Sequence, residues 1–376
     1  MKKTKTKLGA IDFTLFVTIA LLVSIGVIMV YSASSYSAFF NPNVKDSTFF
    51  LKKQGGAAIV GIIAMLFTIK IDYHKIKKHT KKLMLITIVL LLMVFLFPPV
   101  NGARRWIRLG PASIQPSEIA KYIVVIYMAK SLESKGEKIK TFAYGIIPYL
   151  LVSGFYAGLV FAEKNLSIAA VIMIVTLIIL YVAGAKTKHI SLVMLMVLLA
   201  GVAGIIFEPF RVARFLSFLD PWKDPKNTGY QLIQSLLALG SGGIWGVGIG
   251  RSRQKCYYIP EPHNDFIFAI IGEELGLIGC IFIVILFSIF IWRGIVIATK
   301  AKDTYGTMLA TGITSIVAVQ AIINMAVVTG SMPVTGVPLP FISYGGSSLA
   351  INLMAMGILL NISRQTENNI YKNSNI

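Results

Sequence analysis

Charge is what this chain has least of for its size. Only 14% of its 376 residues are Asp, Glu, Lys or Arg, against about 25% in soluble domains. With 56% of the residues hydrophobic, that shortage excludes a single core surrounded by water. Acidic residues are the scarcer sign, 16 against 36 Lys and Arg, for a formal net charge of +20. Such basicity raises the question of nucleic acid. The basic residues, however, are spread through loops between apolar runs with no RNA- or DNA-binding signature, so no nucleic-acid partner is expected. Cysteine is nearly absent: Cys256 falls in a loop and Cys280 in an apolar run, which excludes a disulfide framework. The four histidines, His74, His79, His189 and His263, are scattered, with no HExxH and no Cys/His cluster to bind zinc. The glycine-rich run 240–250 lacks a GK[ST] ending and does not complete GxGxxG, so it is read as re-entrant or interfacial backbone and not as a nucleotide loop. The small polar residues of 341–348 contain no G-x-S-x-G, which removes the serine hydrolases.

Long apolar runs are what the chain has in plenty. A helix needs roughly 20 apolar residues to cross a bilayer. Runs near that length occupy about 11–33, 55–71, 83–98, 116–131, 143–162, 166–184, 190–209, 265–292, 304–330 and 344–362. They predict an all-α polytopic membrane protein of about ten transmembrane helices, one domain over 1–376, with a large extracytoplasmic loop at about 210–264 between helices 7 and 8. The first run exceeds the roughly 7–15 residues of a signal-peptide core and is read as an uncleaved span. Lys2, Lys3, Lys5 and Lys7, the 75–82 turn, the 130–140 loop and Lys186 with Lys188 alternate correctly with the spans, which puts both termini in the cytoplasm. Two loops on the opposite side break that rule. One carries Arg104, Arg105 and Arg108; the other carries Arg211, Arg214, Arg251, Arg253 and Lys255. An anionic substrate would give such arginines a use, because the planar guanidinium fork matches phosphate and carboxylate. Tolerated surface charge is the plainer alternative for Arg251 and Arg253.

Ionisable residues at membrane depth are functional candidates by default. Asp265 stands at the mouth of the eighth span, where partial desolvation raises a carboxyl's pKa and suits it to general-base work; a helix N-cap is the alternative. Beneath it on the same helical face lie Ala269, Gly272 and Gly276, small enough for a substrate groove or for close helix packing. Glu273 and Glu274 lie deeper and, at about 100° per residue, cannot both face that groove, so at least one is expected to be structurally paired. Lys121, one turn from Ser117 and Glu118 in a span that opens at Pro116, either holds a phosphate or pairs with Glu118.

Several segments then carry a resemblance that spans essentially the whole chain in order. They are Asn101-Gly102-Ala103-Arg104-Arg105-Trp106-Ile107, then Gln115-Pro116-Ser117-Glu118 with Lys121, Gly229-Tyr230-Gln231-Leu232-Ile233-Gln234-Ser235, 238–243, 265–276, and 333–348. The chain resembles the SEDS family (shape, elongation, division and sporulation), which includes FtsW, RodA and SpoVE. Gln254-Lys255 and the 333–348 stretch look more like the FtsW/SpoVE branch than RodA. The resemblance implies a peptidoglycan glycosyltransferase that polymerises lipid II at the outer leaflet of the bacterial cytoplasmic membrane, during division or sporulation. It implies Asp265 as the catalytic residue, Arg104, Arg105, Glu118, Lys121, His263 and Ser343 as substrate-binding candidates, and a class B penicillin-binding protein transpeptidase as partner. No protein metal ligands are assigned, although a divalent cation, Mg or Mn, is one candidate for neutralising the pyrophosphate. The family's usual His-Thr-Asp-Phe reads His263-Asn264-Asp265-Phe266 here, and Glu163-Lys164-Asn165-Leu166-Ser167-Ile168 lacks the usual proline and final threonine, so no contacts are assigned at 163–168. A lipid II flippase using Lys121, Glu273 and Glu274, and a non-catalytic scaffold for a transpeptidase, are the rival readings.

Overall fold

The computed structural model describes residues 9–100, 102–110, 112–207 and 209–366. Lys2, Lys3, Lys5, Lys7 and Asn101 lie outside the described residues, as does the side chain of Arg211. Each long apolar run folds into a helix, because a backbone in hydrocarbon satisfies its N–H and C=O groups only within helices or closed barrels. In order these are α1 (Phe13–Phe40), α2 (Phe49–Lys70), α3 (Tyr73–Met93), α4 (Pro116–Leu132), α5 (Ile147–Ala162), α6 (Leu166–Val182) and α7 (Thr187–Ile206), followed by α8 (Pro209–Leu219), α9 (Tyr230–Gly242), α10 (Ile267–Thr299), α11 (Thr304–Val328) and α12 (Gly346–Ser363). Aspartates set three of the starts: Asp12, Asp72 and Asp303 accept from the N–H groups of Leu15, His74 and Gly306 at 2.9, 3.0 and 2.6 Å.

The protein is an all-α, multi-pass membrane protein. Among the described residues eight helices are long and apolar enough to cross a bilayer. The other two of the ten runs are α6, apolar but only 17 residues long, and α4, also 17 residues, which carries Glu118, Lys121 and Lys130. The 210–264 connection is more structured than a loop, since α8 lies almost wholly within it and α9 entirely so. Both are shorter than a crossing, so a search for runs of about 20 apolar residues passes over them. The 99–115 connection holds a small antiparallel hairpin, β1 (Ile107–Leu109) with β2 (Ala112–Ile114), in which Ile107 pairs with Ile114.

Helices α11 and α12 are the most enclosed of the long spans and α7 the most exposed. Close approach rests on small residues: a Cβ on Gly61 of α2 would meet the Ala350 Cα of α12 at 3.1 Å, and one on Gly357 would meet Met65 O at 2.4 Å. Thr68 adds a hydrogen bond from its hydroxyl to Met354 O at 3.0 Å.

The feature that shapes the site is a break in α10. Gly276 adopts φ 66°, ψ −166° inside the helix. The break frees the carbonyls of Glu273 and Glu274 and the N–H groups of Leu277 and Ile278, which would otherwise bond one another along the helix. The glycine-rich segment takes all four. Val247 N and Gly248 N donate to Glu273 O and Glu274 O at 3.0 Å each, and Leu277 N and Ile278 N donate to Gly243 O and Ile244 O at 2.9 and 3.3 Å. Gly246 has to be glycine here, since a Cβ would stand 2.2 Å from Glu274 O and its φ is +80°. The re-entrant role expected for 240–250 therefore takes a specific form: extended backbone spliced into a broken helix. Replacing Gly276 with Ala should force a left-handed conformation and drive a Cβ against Gly246 N, 2.4 Å away, lowering stability by about 2 kcal/mol or more. Gly201→Ala, in open space on α7, should not. Reversible SDS unfolding of the two variants tests this, and equal midpoints would refute the splice.

Candidate active site

Asp265 sits in the turn just before α10. Its backbone carbonyl accepts from Asn324 Nδ2 of α11 at 2.7 Å, and the same amide donates to Val337 O at 2.8 Å. One α11 side chain therefore clamps the 261–266 turn to the 333–345 segment. Tyr344 N donates to His263 O at 2.9 Å, a second staple between them. Glu261 and Phe341, one in each segment, hold the left-handed conformation at φ 45° and 67°, a backbone cost that persists only where surrounding contacts over-determine it.

The Asp265 carboxylate faces Gly336, whose absent Cβ would lie 3.9 Å from Oδ2. The capping role open to it from sequence is not taken: Phe266 occupies the cap position, without a side-chain cap bond. The carboxylate keeps partial exposure, yet burial pushes its pKa from 3.8 up to about 6, against the opposing pull of its own amide and of Arg214 on α8, with Glu261 adding a little repulsion. Arg214 is felt in return, since desolvation lowers its pKa while Asp265 raises it.

One α11 turn away from Asn324, Gln320 leads into a second, buried cluster. Lys121 Nζ donates to Glu118 Oε2 at 3.0 Å and to Gln320 Oε1 at 2.9 Å, while Ser348 Oγ donates to the same Glu118 oxygen at 2.7 Å. Tyr122 and Asn352 continue the network through a 2.6 Å bond. Residues four apart on a helix are neighbours, with Cβ atoms roughly 6 Å apart, so the Asp265 clamp and the Lys121 cluster share one face of α11. Glu118 is the partner of Lys121, which leaves the lysine acting on a substrate only by giving up a bond.

His263 is buried against the rings of Phe50 and Tyr344, at 4.3 and 5.4 Å between centroids. Burial lowers its pKa to about 4, so it packs as a neutral ring. Ser343 accepts from Leu339 N at 2.8 Å, and its carbonyl accepts from Gln54 of α2 at 3.2 Å, so it fastens its own turn. Arg104 donates to Phe95 O at 2.8 Å. Arg105 bonds the carbonyls of Glu163 and Lys164 at 3.4 and 2.6 Å, tying the α3–α4 and α5–α6 connections together. Next to it Glu163 is buried with both carboxyl oxygens lacking a partner, and burial carries its pKa up to about 8, a rise that Arg105 limits.

Both deeper glutamates are paired. Glu273 accepts from the Ser252 hydroxyl and from Arg253 N, the latter at 2.8 Å. Glu274 accepts from Ser32 Oγ at 2.6 Å and Lys255 Nζ at 2.9 Å. Below Asp265, Gly272 meets α9: a Cβ there would lie 2.4 Å from a Leu239 methyl, and a Cβ on Gly242 would lie 2.0 Å from Gly272 O. The small-residue face is therefore filled by helix packing and is not a groove. Among the described residues no three His, Cys, Asp or Glu side chains converge, so protein alone builds no metal cage. A single carboxylate such as Asp265 fits the mode in which Mg²⁺ is held by one or two carboxylates together with substrate phosphates.

Comparison with known proteins places this arrangement. A family model described as "Cell cycle protein", covering FtsW, RodA and SpoVE, matches residues 13–368. The chain belongs to the FtsW/RodA/SpoVE family. It is 45% identical over 363 residues to stage V sporulation protein E of Bacillus subtilis (strain 168), covering 96% of this chain and 98% of that one. It is 43% identical over 357 residues to a probable peptidoglycan glycosyltransferase FtsW of Geobacter sp. (strain M18), covering 94% and 96%. Among solved structures, a chain of a peptidoglycan synthase complex that coordinates polymerization and crosslinking matches with TM-score 0.77 and 26% identity over 94% of this chain and 98% of that one. The rod shape determining protein RodA of Thermus thermophilus shares the fold at TM-score 0.71 and 23% identity, over 95% and 98%. The SEDS resemblance on the FtsW/SpoVE side therefore holds.

Gln320 and Asn324 are the site residues that sequence reasoning missed, and Arg214, singled out among the outer-face arginines, was not foreseen beside Asp265. Gln320 and Asn324 did carry a signal: two amides four residues apart inside an apolar span are costly unless they bond.

Because the folded pKa of Asp265 lies above its ordinary value, the folded state binds the proton more tightly. Stability is complete below about pH 3.8 and is lost as pH rises through about 6. The ionised carboxylate then costs at most about 3 kcal/mol. Asp265→Asn should accordingly be more stable than the native chain at pH 7.5, with the difference shrinking by pH 4.5. Thermal unfolding in detergent at the two pH values reads this directly, and a pH-independent difference would contradict it.

Proposed function

We propose that this protein is a peptidoglycan glycosyltransferase that extends glycan strands from lipid-linked disaccharide units, with Asp265 as general base. The observation that carries the reading is a desolvated, only partly exposed carboxylate at the mouth of a span, held by its backbone, near Arg214, and without a hydrogen bond to another side chain among the described residues. Relatives named as probable peptidoglycan glycosyltransferases, 40–43% identical over most of the chain, support it.

In this reading Asp265 accepts the proton of the acceptor sugar's 4-hydroxyl as its oxygen attacks the donor's anomeric carbon. The bond from that carbon to the pyrophosphate oxygen breaks, the electron pair leaves with the pyrophosphate, and the linkage inverts to β. Charge spreads over an oxocarbenium-like sugar and grows on the leaving group. Arg214 beside Asp265 is suited to meet that growing charge, and Lys121 reaches it only by loosening from Glu118 and Gln320. A divalent cation, when bound, would supply the same neutralisation at the phosphates. A proton affinity near pH 6 leaves Asp265 ionised at neutral pH and still basic enough to take a proton in the transition state.

Lipid II is the substrate whose lipid-linked pyrophosphate this chemistry requires. A class B penicillin-binding protein is the natural partner, as the likeness to a polymerising and crosslinking complex supports. Flipping finds less support, because the buried charges of a translocation path are consumed by partners: Lys121 by Glu118 and Gln320, and Glu274 by Ser32 and Lys255.

Purified protein with its transpeptidase should polymerise lipid II in detergent, with an ascending limb near pH 6. Asp265→Ala, monodisperse on gel filtration, should lose on the order of 10²-fold or more. A fully active variant would end the enzyme reading. The positive-inside pattern places the termini and the 133–141 loop in the cytoplasm. In a background lacking Cys256 and Cys280, cysteine at exposed Asn43 should react with a membrane-impermeant maleimide in intact cells, and cysteine at exposed Ser134 should not. The reverse pattern would invert the topology.

A further inference from the structure

A cavity of about 270 Å³ lies at the opposite end of the bundle from Asp265, between the start of α1 and the ends of α10 and α12. The mechanism makes no use of it. Its charged lining comes from Asp12, Arg293 and Lys300, and Thr14, Ser363 and Thr366 add hydroxyls. Arg293 is committed to Asp12 through Nε and Nη2, with Nε at 3.0 Å from Oδ2. The guanidinium therefore stands fixed on the cavity wall, its second terminal nitrogen without a hydrogen bond among the described residues. Lys300, the residue that ends α10, is exposed and makes no side-chain bond or ion pair among the described residues. Two cations thus face one carboxylate. Arg364, next in sequence to the cavity residue Ser363, lies outside the lining, with its guanidinium on the carbonyls of Gly9 and Ile69. The first turn of α1 contributes its N–H groups, of which Asp12 caps that of Leu15.

The rim has a different character. Trp292 is 59% exposed and stacks with the Arg293 guanidinium at 5.4 Å, and Phe13, which lines the cavity, is 70% exposed. Large exposed aromatics at the end of a membrane helix mark the level of lipid headgroups. A cationic cleft between spans at that level, flanked by apolar rings, has the make-up of a headgroup site: cations for phosphate, aromatic faces for the first acyl carbons.

We propose that this cleft binds the phosphate headgroup of an anionic phospholipid, with Arg293 and Lys300 on the phosphate and the acyl chains passing over Phe13 and Trp292. Bound there, the lipid bridges the first helix, the broken α10 and the last helix at the end away from the catalytic turn.

Native mass spectrometry of the full-length protein in detergent tests the site, with dioleoyl phosphatidylglycerol, dioleoyl phosphatidylcholine and glycerol 3-phosphate as separate probes. Phosphatidylglycerol should be retained roughly fivefold or more over phosphatidylcholine. Lys300→Glu alters an exposed, unpaired side chain and so should fold normally, yet it should bring the two lipids level. Arg293→Gln should do the same, with gel filtration as the control for its lost partner. Equal retention of the two lipids by the native chain, or undiminished phosphatidylglycerol preference in Lys300→Glu, would overturn the proposal. Glycerol 3-phosphate binding as well as the lipid would also overturn it, by making the cleft a site for soluble anions.

Discussion

A helix that breaks inside hydrocarbon must find partners for four backbone groups, and where α10 finds them determines where much of the protein goes. The carbonyls of Glu273 and Glu274 and the N–H groups of Leu277 and Ile278 are taken by 243–248, about 14 Å along α10 from its start at 1.5 Å per residue. That holds the chain after α9 deep in the bundle. The next residues, 252–255, are then within reach of the same two glutamates, whose side chains bind the Ser252 hydroxyl, Arg253 N and Lys255 Nζ. Backbone and side chains of one dipeptide thus anchor two successive stretches of the long connection. The nine residues that remain before Asp265 have little freedom left, and the catalytic candidate arrives at the mouth of α10 in a fixed place.

Helix α11 fixes the other coordinate. Asn324 binds the carbonyl of Asp265 and that of Val337, while Gln320, one turn along, binds Lys121. Neutral amides suit this position. Each supplies donors and an acceptor without a charge to desolvate, and their bonds offset part of the cost of burial, although Asn324 Oδ1 stays buried without a partner among the described residues. The same economy holds at Gln54, whose amide donates to Ser343 O and accepts from Gly345 N. The segment around 333–345 is irregular backbone close to membrane-spanning helices, and it is held by the amides of Asn324 and Gln54 and by its own turn at Ser343 rather than by regular structure.

What could be read beforehand follows from these constraints. Hydropathy and lysine alternation exposed the helices, because span length is a one-dimensional property. It could not expose α8 and α9, which are helical but too short to cross. The family motifs located Asp265, Lys121 and Glu118, and helical spacing gave the Glu118–Lys121 pair as one alternative. Spacing also left Gly272 and Gly276 open between a groove and packing. The structure answers differently at each, with α9 against Gly272 and a splice at Gly276. Arg214 and Asn324 meet Asp265 from elements 51 and 59 residues away in sequence, and nothing local announces such a meeting. His263 and Ser343 carry the motif yet serve the turn's own packing, a reminder that a residue within a family motif can owe its place to architecture.

The distribution of charge gives the site its chemical sense. Glu118, Glu273 and Glu274 are buried and each is bonded to a cation or a hydroxyl; the cost of burying them is offset locally, and they are poor candidates for moving protons. Asp265 is treated otherwise. Its backbone is clamped and its carboxylate is left with a nearby arginine but, among the described residues, no hydrogen bond to another side chain, so that it is fixed in position and incomplete in bonding. Such a group destabilises the fold whenever it is ionised, and in the proposed reaction the deficit is what an approaching hydroxyl would make good. A water-filled cleft would satisfy the carboxylate with solvent and return its proton affinity to the ordinary range. Placing it at the boundary of a bundle, beneath a turn held by α11, keeps it short of partners. Under the proposed function, the lipid anchor of a polyprenyl-linked sugar would serve the chemistry as well as delivery, by bringing the acceptor to the depth of this carboxylate.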